Sequence, residues 1–202
     1  MTPPPSTPAP RDATPPAAPE RGTTLRERFE RASSFADFVA GATKNQDLWR
    51  AIHRLARLPP ELVARASAIP ERWHLLVLTE DWCGDAVNTV PSIVRLAEAV
   101  PTIDVRLLSR DLNPDLMNAH LTRGSRSIPV VMALDAEFEE RGWWGPRPRA
   151  LQEWVMSTGL AMEKDARYRE IRTWYARDHG RTTLEEIVEM LEQSGVRGEG
   201  RA

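Results

Sequence analysis

Residues 74–86 read His-Leu-Leu-Val-Leu-Thr-Glu-Asp-Trp-Cys-Gly-Asp-Ala, and the change of pattern inside them decides the fold. His74–Thr79 is an almost unbroken apolar run, which predicts a strand covered on both faces. After the short EDWCGD segment the period changes. Ala86, Val87, Val90, Val94 and Ala97 trace one face of a helix that Pro101 ends. Ile103, Val105 and Leu107 alternate with polar residues and predict a second strand. Asn113-Pro114 reads as a cap with proline at the first helical position, and Gly124 as the end of that helix. Val130–Leu134 predicts a third strand, and Glu137–Trp144 a fourth, joined to it by a tight turn. Helices are then expected over about Leu151–Gly159 and Glu163–Arg177. A last one is expected from Thr183, capped with Glu186, burying Leu184, Ile187, Val188 and Leu191 and stopping at Gly195. The order strand, helix, strand, helix, strand, strand, helix is an α/β layer architecture.

Upstream of the first strand the chain reads as small helices. Thr24 and Glu27 make a capping-box pattern before Leu25, Phe29 and Ala32, and Ser34 with Asp37 starts another turn around Phe35 and Phe38. Leu48, Ile52 and Leu55 are spaced for a helix face that Pro59-Pro60 stops. A short helix from Glu61 to about Ala68 follows and ends at Pro70. The first 22 residues hold eight of the seventeen prolines and no aromatic residue, so they are expected to stay extended and mobile. They lack the basic start and apolar stretch of a secretory signal, and a cytoplasmic location is expected.

Composition narrows the function classes. The 202 residues include one cysteine, which excludes an intrachain disulfide, a dithiol motif and a multi-cysteine metal cluster. Lys plus Arg number 27 against 29 Asp plus Glu, so a net charge of -2 offers no bulk field for nucleic acid. Only Lys44 and Lys164 are lysine; this arginine bias is what a GC-rich genome produces and assigns no role to any one arginine. No apolar run approaches the ~20 residues of a membrane span. His53, His74, His120 and His179 share no metal-ligand spacing with one another or with Cys83, so no metal site and no cofactor is expected. No histidine can be placed beside Cys83, which leaves a Cys–His hydrolase without its base.

With these residues in view, the chain resembles the thioredoxin-like superfamily. A buried strand followed by Trp82-Cys83-Gly84, opening into a helix, is similar to the active-site segment of thioredoxin-fold proteins. Pro91 lies eight residues after Cys83, where that family has a proline inside the helix, and Ile128-Pro129 stands where it has its cis-proline. The resemblance covers roughly residues 72–159, and the EDWCGDA, GSRSIP and WGPRP stretches resemble a bacterial branch with WCGDA in place of WCGPC. It implies a thioredoxin-like fold, a central mixed sheet of about four strands flanked by helices, with extra N-terminal and C-terminal helices. The implied organisation is a disordered tail over 1–22, a helical extension over 23–70 and a thioredoxin-like core over 71–160. C-terminal helices over 161–195 and a flexible tail over 196–202 complete it.

The resemblance places a nucleophile at Cys83, where free backbone N–H groups and the helix dipole favour a thiolate. It carries onto Ile128 the role of presenting its backbone to a bound thiol or peptide. The departures then shape the chemistry. The second cysteine of the family motif falls on Ala86, and the buried acid that serves it falls on Val77. A mixed disulfide formed at Cys83 would have no internal thiol to resolve it. Asp85 replaces the motif proline, and with Glu80 and Asp81 it opposes ionisation of the sulfur while the helix dipole favours it. The sequence leaves that balance open.

Two functions are therefore expected. In one, Cys83 is a monothiol centre exchanging with a low-molecular-weight thiol or a protein thiol. Trp82, Gly84, Asp85 and Ala86 would tune it, and Ile128, Pro129 and Arg126 would bind the partner. Arg123 and Arg147 are further candidates for its carboxylates. In the other, the fold is a binding or adaptor module and Cys83 a remnant. Trp143-Trp144 and GPRP either rim a partner site or cover the end of the sheet. Trp154, Tyr168, Trp174 and Tyr175 read as core and helix packing, and the oligomeric state is not legible.

Overall fold

The computed structural model describes residues 23–198, so the expected tail at 1–22 and residues 199–202 of the tail expected over 196–202 lie outside the described residues, while 196–198 continue the last helix rather than a tail. Four short helices come first: α1 (Leu25–Arg31), α2 (Phe35–Gly41), α3 (Gln46–Leu55) and α4 (Pro60–Ser67). The capping box forms as the spacing predicts: Glu27 N–H donates to Thr24 Oγ1 (3.3 Å) and Thr24 N–H to Glu27 Oε2 (2.9 Å). Ser34 accepts from Asp37 N–H at 3.1 Å and starts α2 in the same way. In α3 the inward residue is Trp49, fully buried, whereas Leu48 and Leu55 are 46% and 70% exposed. Of the expected Leu48–Ile52–Leu55 face Ile52 packs against the core, but Trp49 takes the inward place beside it, because it carries more apolar surface to bury and its indole N–H finds the Asp81 carbonyl at 3.1 Å.

The core alternates as expected: β1 (Trp73–Thr79), α5 (Gly84–Ala99), β2 (Ile103–Ser109), α6 (Pro114–Ala119), β3 (Val130–Leu134) and β4 (Glu140–Trp144). The sheet order is β2-β1-β3-β4, with β1 parallel to β2 and the other pairs antiparallel. All seven residues of β1 and all five of β3 are buried, which explains their unbroken apolar sequence. Leu75, Leu76 and Leu78 have no exposed surface, and burial of each is worth about 1.5–3 kcal/mol. The strand leading to Cys83 is therefore held along its whole length.

Side-chain alternation along β4 assigns the layers. Trp144 turns to one face and donates its indole N–H to Glu186 on α9 (Arg181–Gly198) at 2.6 Å. Trp143 turns to the other and meets His120, at the end of α6, edge-on at 5.5 Å. α5 packs beside α9 on the first face. α1 is tied to α6, where Arg28 donates to Asn113 Oδ1 (2.9 Å) and to both Asp115 oxygens (3.1 and 2.6 Å). The chain belongs to the α/β class with a four-stranded mixed sheet flanked by helices and a thioredoxin-like fold.

Several boundaries differ from the expectation, each for a local reason. Asn113 precedes α6, but its side chain serves Arg28 and the Ser109 carbonyl rather than capping. Gly124 (φ +79°) does not end α6; it sits in a tight turn where Thr122 and Ser125 exchange backbone bonds of 3.0 and 2.9 Å. β4 starts at Glu140, because the Asp135 carboxylate accepts from Glu137 and Glu139 N–H and holds those residues in the turn. The last helices are α7 (Arg149–Ser157), α8 (Lys164–Asp178) and α9. α9 begins two residues before Thr183, because Asp178 caps it by accepting from Thr182 N–H at 3.2 Å. It also runs past Gly195, whose missing side chain lets the Glu71 carboxylate pack where a Cβ would sit 3.1 Å away.

Candidate functional site

The antiparallel register Leu78↔Val130 sets the start of β3 beside the end of β1. The turn after β1 therefore meets the Ile128–Pro129 peptide, which is cis. Cys83 closes that turn, its N–H donating to Glu80 O at 3.1 Å, and serves as N-cap of α5. Its sulfur accepts from Ala86 N–H at 3.5 Å and its thiol donates to the Ile128 carbonyl at 3.3 Å. The residue is only 6% exposed.

The acids around it are all engaged. Glu80 accepts from Ser109 Oγ (2.7 Å) and Asp111 N–H (3.0 Å). Asp81 accepts from the backbone N–H of Thr43 (2.6 Å) and Lys44 (2.9 Å). Burial alone would raise the Asp81 carboxyl, but those two N–H groups hold it below its ordinary value. Asp85 is buried in the first turn of α5, and both its oxygens are taken by Arg147, at 2.9 and 2.6 Å. Tyr175 of α8 adds its hydroxyl at 3.0 Å. Burial raises the Asp85 carboxyl, against the pull of Arg147 and Tyr175.

The balance left open by the sequence is settled by solvent. Burial pushes the Cys83 thiol up to about 11, the Ala86 N–H pulls it back, and the Asp85 carboxylate pushes it further up. At neutral pH the sulfur is a protonated donor to Ile128. Ala86 and Val77, where the resemblance sets the family's second thiol and acid, have no exposed surface.

A cavity of about 600 Å³ opens over the sulfur. Trp82, Cys83, Gly84, Asp85, Arg126 and Ile128 line it together. Pro129 lies behind them against Gly145, whose φ of +136° and position 2.0 Å from the Pro129 oxygen (measured from an added Cβ) leave no room for a side chain. Ala86 contributes its backbone N–H from below. Arg147 reaches the cavity with its guanidinium already paired to Asp85, and Arg123 does not line it.

The sequence reading missed the opposite wall. Lys164, Tyr168, Ile171 and Arg172 of α8 line the cavity, with Leu48 and Asn45 from the start of α3 region. Lys164, Tyr168, Ile171, Arg172 and Tyr175 recur at spacings of three and four, so one face of α8 was legible as a unit. What was not legible is that this face turns to Cys83. Trp82, half exposed, has the Arg110 guanidinium 5.0 Å from its ring centre at the rim. Trp143 and Trp144 belong to the sheet and α9 rather than to this rim. Among the described residues, no three His, Cys, Asp or Glu side chains come together as metal ligands, and no helix is long and apolar enough to cross a membrane.

Comparison with known proteins agrees with this geometry. No curated protein matches the chain. Among solved structures, a protein of unknown function from Pseudomonas aeruginosa matches with a TM-score of 0.70 at 23% identity, over 85% of this chain and 99% of that one. An HIV epitope-scaffold matches with a TM-score of 0.68, also at 23% identity and with the same coverage. At this identity the likeness is one of fold. A family model described as thioredoxin matches residues 32–169, from the end of α1 into α8, and so includes the sheet, Cys83 and the first part of the α8 wall. Since that match spans more than half of its length, the chain belongs to this thioredoxin family.

Proposed function

We propose that the chain is a slow monothiol exchange centre in which Cys83 reacts with a low-molecular-weight disulfide and an outside thiol completes the turnover. The observation that carries this reading is the single thiol at the N-terminus of α5, set between Ala86 N–H and the Ile128 carbonyl on the wall of an open cavity. In the first step the Cys83 thiolate attacks one sulfur of a mixed disulfide R′S–SR. The Cys83–SR bond forms, the ligand's S–S bond breaks, and R′S⁻ leaves and takes a proton. Cys83 is oxidised and R′S is reduced. A second RSH, as thiolate, then attacks the bound SR sulfur, releasing RSSR and restoring Cys83. The chain holds one cysteine, so this second thiol must come from outside. Low exposure of Cys83 favours a small partner over a protein disulfide.

The WCGDA segment would then mark a branch of the family in which Asp85, paired to Arg147, replaces the resolving half. Such chemistry suits a reducing, cytoplasmic setting, where small thiols are abundant. A second reading, a binding module with Cys83 as a remnant, is favoured by the thiol standing at about 11. One experiment separates them. Incubation with oxidised glutathione at pH 9 is expected to give one glutathionyl adduct on Cys83, removed by reduced glutathione. Absence of an adduct, while iodoacetamide labels Cys83 under the same conditions, would leave the binding module.

A further inference from the structure

We infer that the cavity over Cys83 selects a thiol-bearing molecule of about tripeptide size with two carboxylates, and that Arg126, Lys164 and Arg172 read those carboxylates; this deepens the exchange reading and rests on it. Five cationic side chains line the cavity, Arg110, Arg126, Arg147, Lys164 and Arg172, against one carboxylate, Asp85. Arg147 is neutralised by Asp85 and Arg110 by Asp111 at 2.8 Å. Arg126, Lys164 and Arg172 have no carboxylate partner among the described residues. In a chain whose net charge is -2, this is a local surplus of positive charge gathered around one sulfur.

The spacing of these cations defines the ligand. Arg126 lies in the loop before Ile128, on the sheet side of the sulfur, while Lys164 and Arg172 belong to α8 across the cavity. Two helical turns separate Lys164 from Arg172, about 12 Å along the axis. A chain of tripeptide length with a carboxylate at each end spans about 10–11 Å, which matches the separation of Lys164 and Arg172 along α8, and Arg126 lines the same cavity from the loop before Ile128. The cavity volume, about 600 Å³, lies in the range of small-molecule sites. Guanidinium–carboxylate pairs of this kind are directional and charge-assisted, which makes Arg126 and Arg172 the selective contacts and Lys164 a point charge.

The test uses the full chain as the Cys83→Ser variant, titrated calorimetrically with S-methylglutathione, which has two carboxylates and no free thiol. Binding is expected, with affinity falling about tenfold on adding Arg126→Gln, and as much again with Lys164→Gln and Arg172→Gln. All three side chains lie at the surface, so an unchanged thermal melt is the control for folding. No binding, or an affinity indifferent to the three substitutions, would overturn the assignment. So would inorganic phosphate binding more tightly than S-methylglutathione, which would give the site to a phosphate ester. Failure here alongside adduct formation on wild-type Cys83 would remove the ligand assignment and leave the exchange reading. Binding here without an adduct would do the reverse.

Discussion

At the residue scale, Cys83 shows how burial overrides a helix N-terminus. The sequence placed the thiol at that N-terminus with three acids nearby, and two opposing influences could be named from it. It did not show that Glu80 and Asp81 spend their oxygens on Ser109, Asp111, Thr43 and Lys44. Nor did it show that Cys83 is almost wholly excluded from water, since exposure depends on helices distant in sequence. With Asp85 left as the acid facing the sulfur, the variant Asp85→Asn is expected to lower the Cys83 thiol towards its ordinary value. Iodoacetamide labelling at pH 8 should then be several-fold faster than in the wild type, because the Arg147 charge is freed as the carboxylate charge is lost. Equal or slower labelling would assign the raised value to burial alone.

At the element scale, the Asp85–Arg147–Tyr175 group joins α5, the loop before α7 and α8 through one buried carboxylate. Replacing Arg147 by Met strands that carboxylate and is expected to cost about 3–5 kcal/mol in urea unfolding. Tyr175→Phe removes one bond to the same group and should cost about 1–3 kcal/mol. The reverse ranking would contradict the placement of Arg147 as principal partner. Gly145→Ala should destabilise by more than about 1 kcal/mol from its positive φ alone, with the overlap on the Pro129 oxygen added. On the far face, His120 at the end of α6 bonds Glu140 of β4 at 2.9 Å, and that bond raises the imidazole above its ordinary value. The stabilisation it brings is fully present below the unfolded value of about 6.5 and is lost as pH rises through the folded value. The advantage of wild type over Glu140→Gln in denaturant midpoint should therefore be larger at pH 6 than at pH 8.5. Equal advantages would contradict the pairing. Elements whose signals are local, such as the Thr24 capping box and the buried β1 run, were legible from sequence. The start of α9 was not, because its cap comes from Asp178, on the helix before it.

At the scale of the whole molecule, β1, β3 and α5 present the sulfur while the start of α3 and one face of α8 line the open cavity over it. The thioredoxin-like sheet was legible because strand period, Trp82-Cys83-Gly84, Pro91 and Ile128-Pro129 all lie within it. The α8 wall was not, since α8 shares aromatic and charged residues with any packed surface helix. A buried thiol without a resolving partner should fail to turn over a protein disulfide: reduction of insulin by the chain with thioredoxin reductase and NADPH is expected to stay at background. Sustained turnover there would contradict both the small-partner reading and the argument from Ala86 and Val77. The central claim is that Cys83 is a working thiol, held protonated by burial and brought into action by a small disulfide. The most direct measurement is the rate of glutathionyl adduct formation on Cys83 from pH 7 to pH 10. A thiol standing at about 11 predicts a single adduct whose rate climbs about tenfold per pH unit across that range; a rate that levels off below pH 8, or no adduct at any pH, would contradict it.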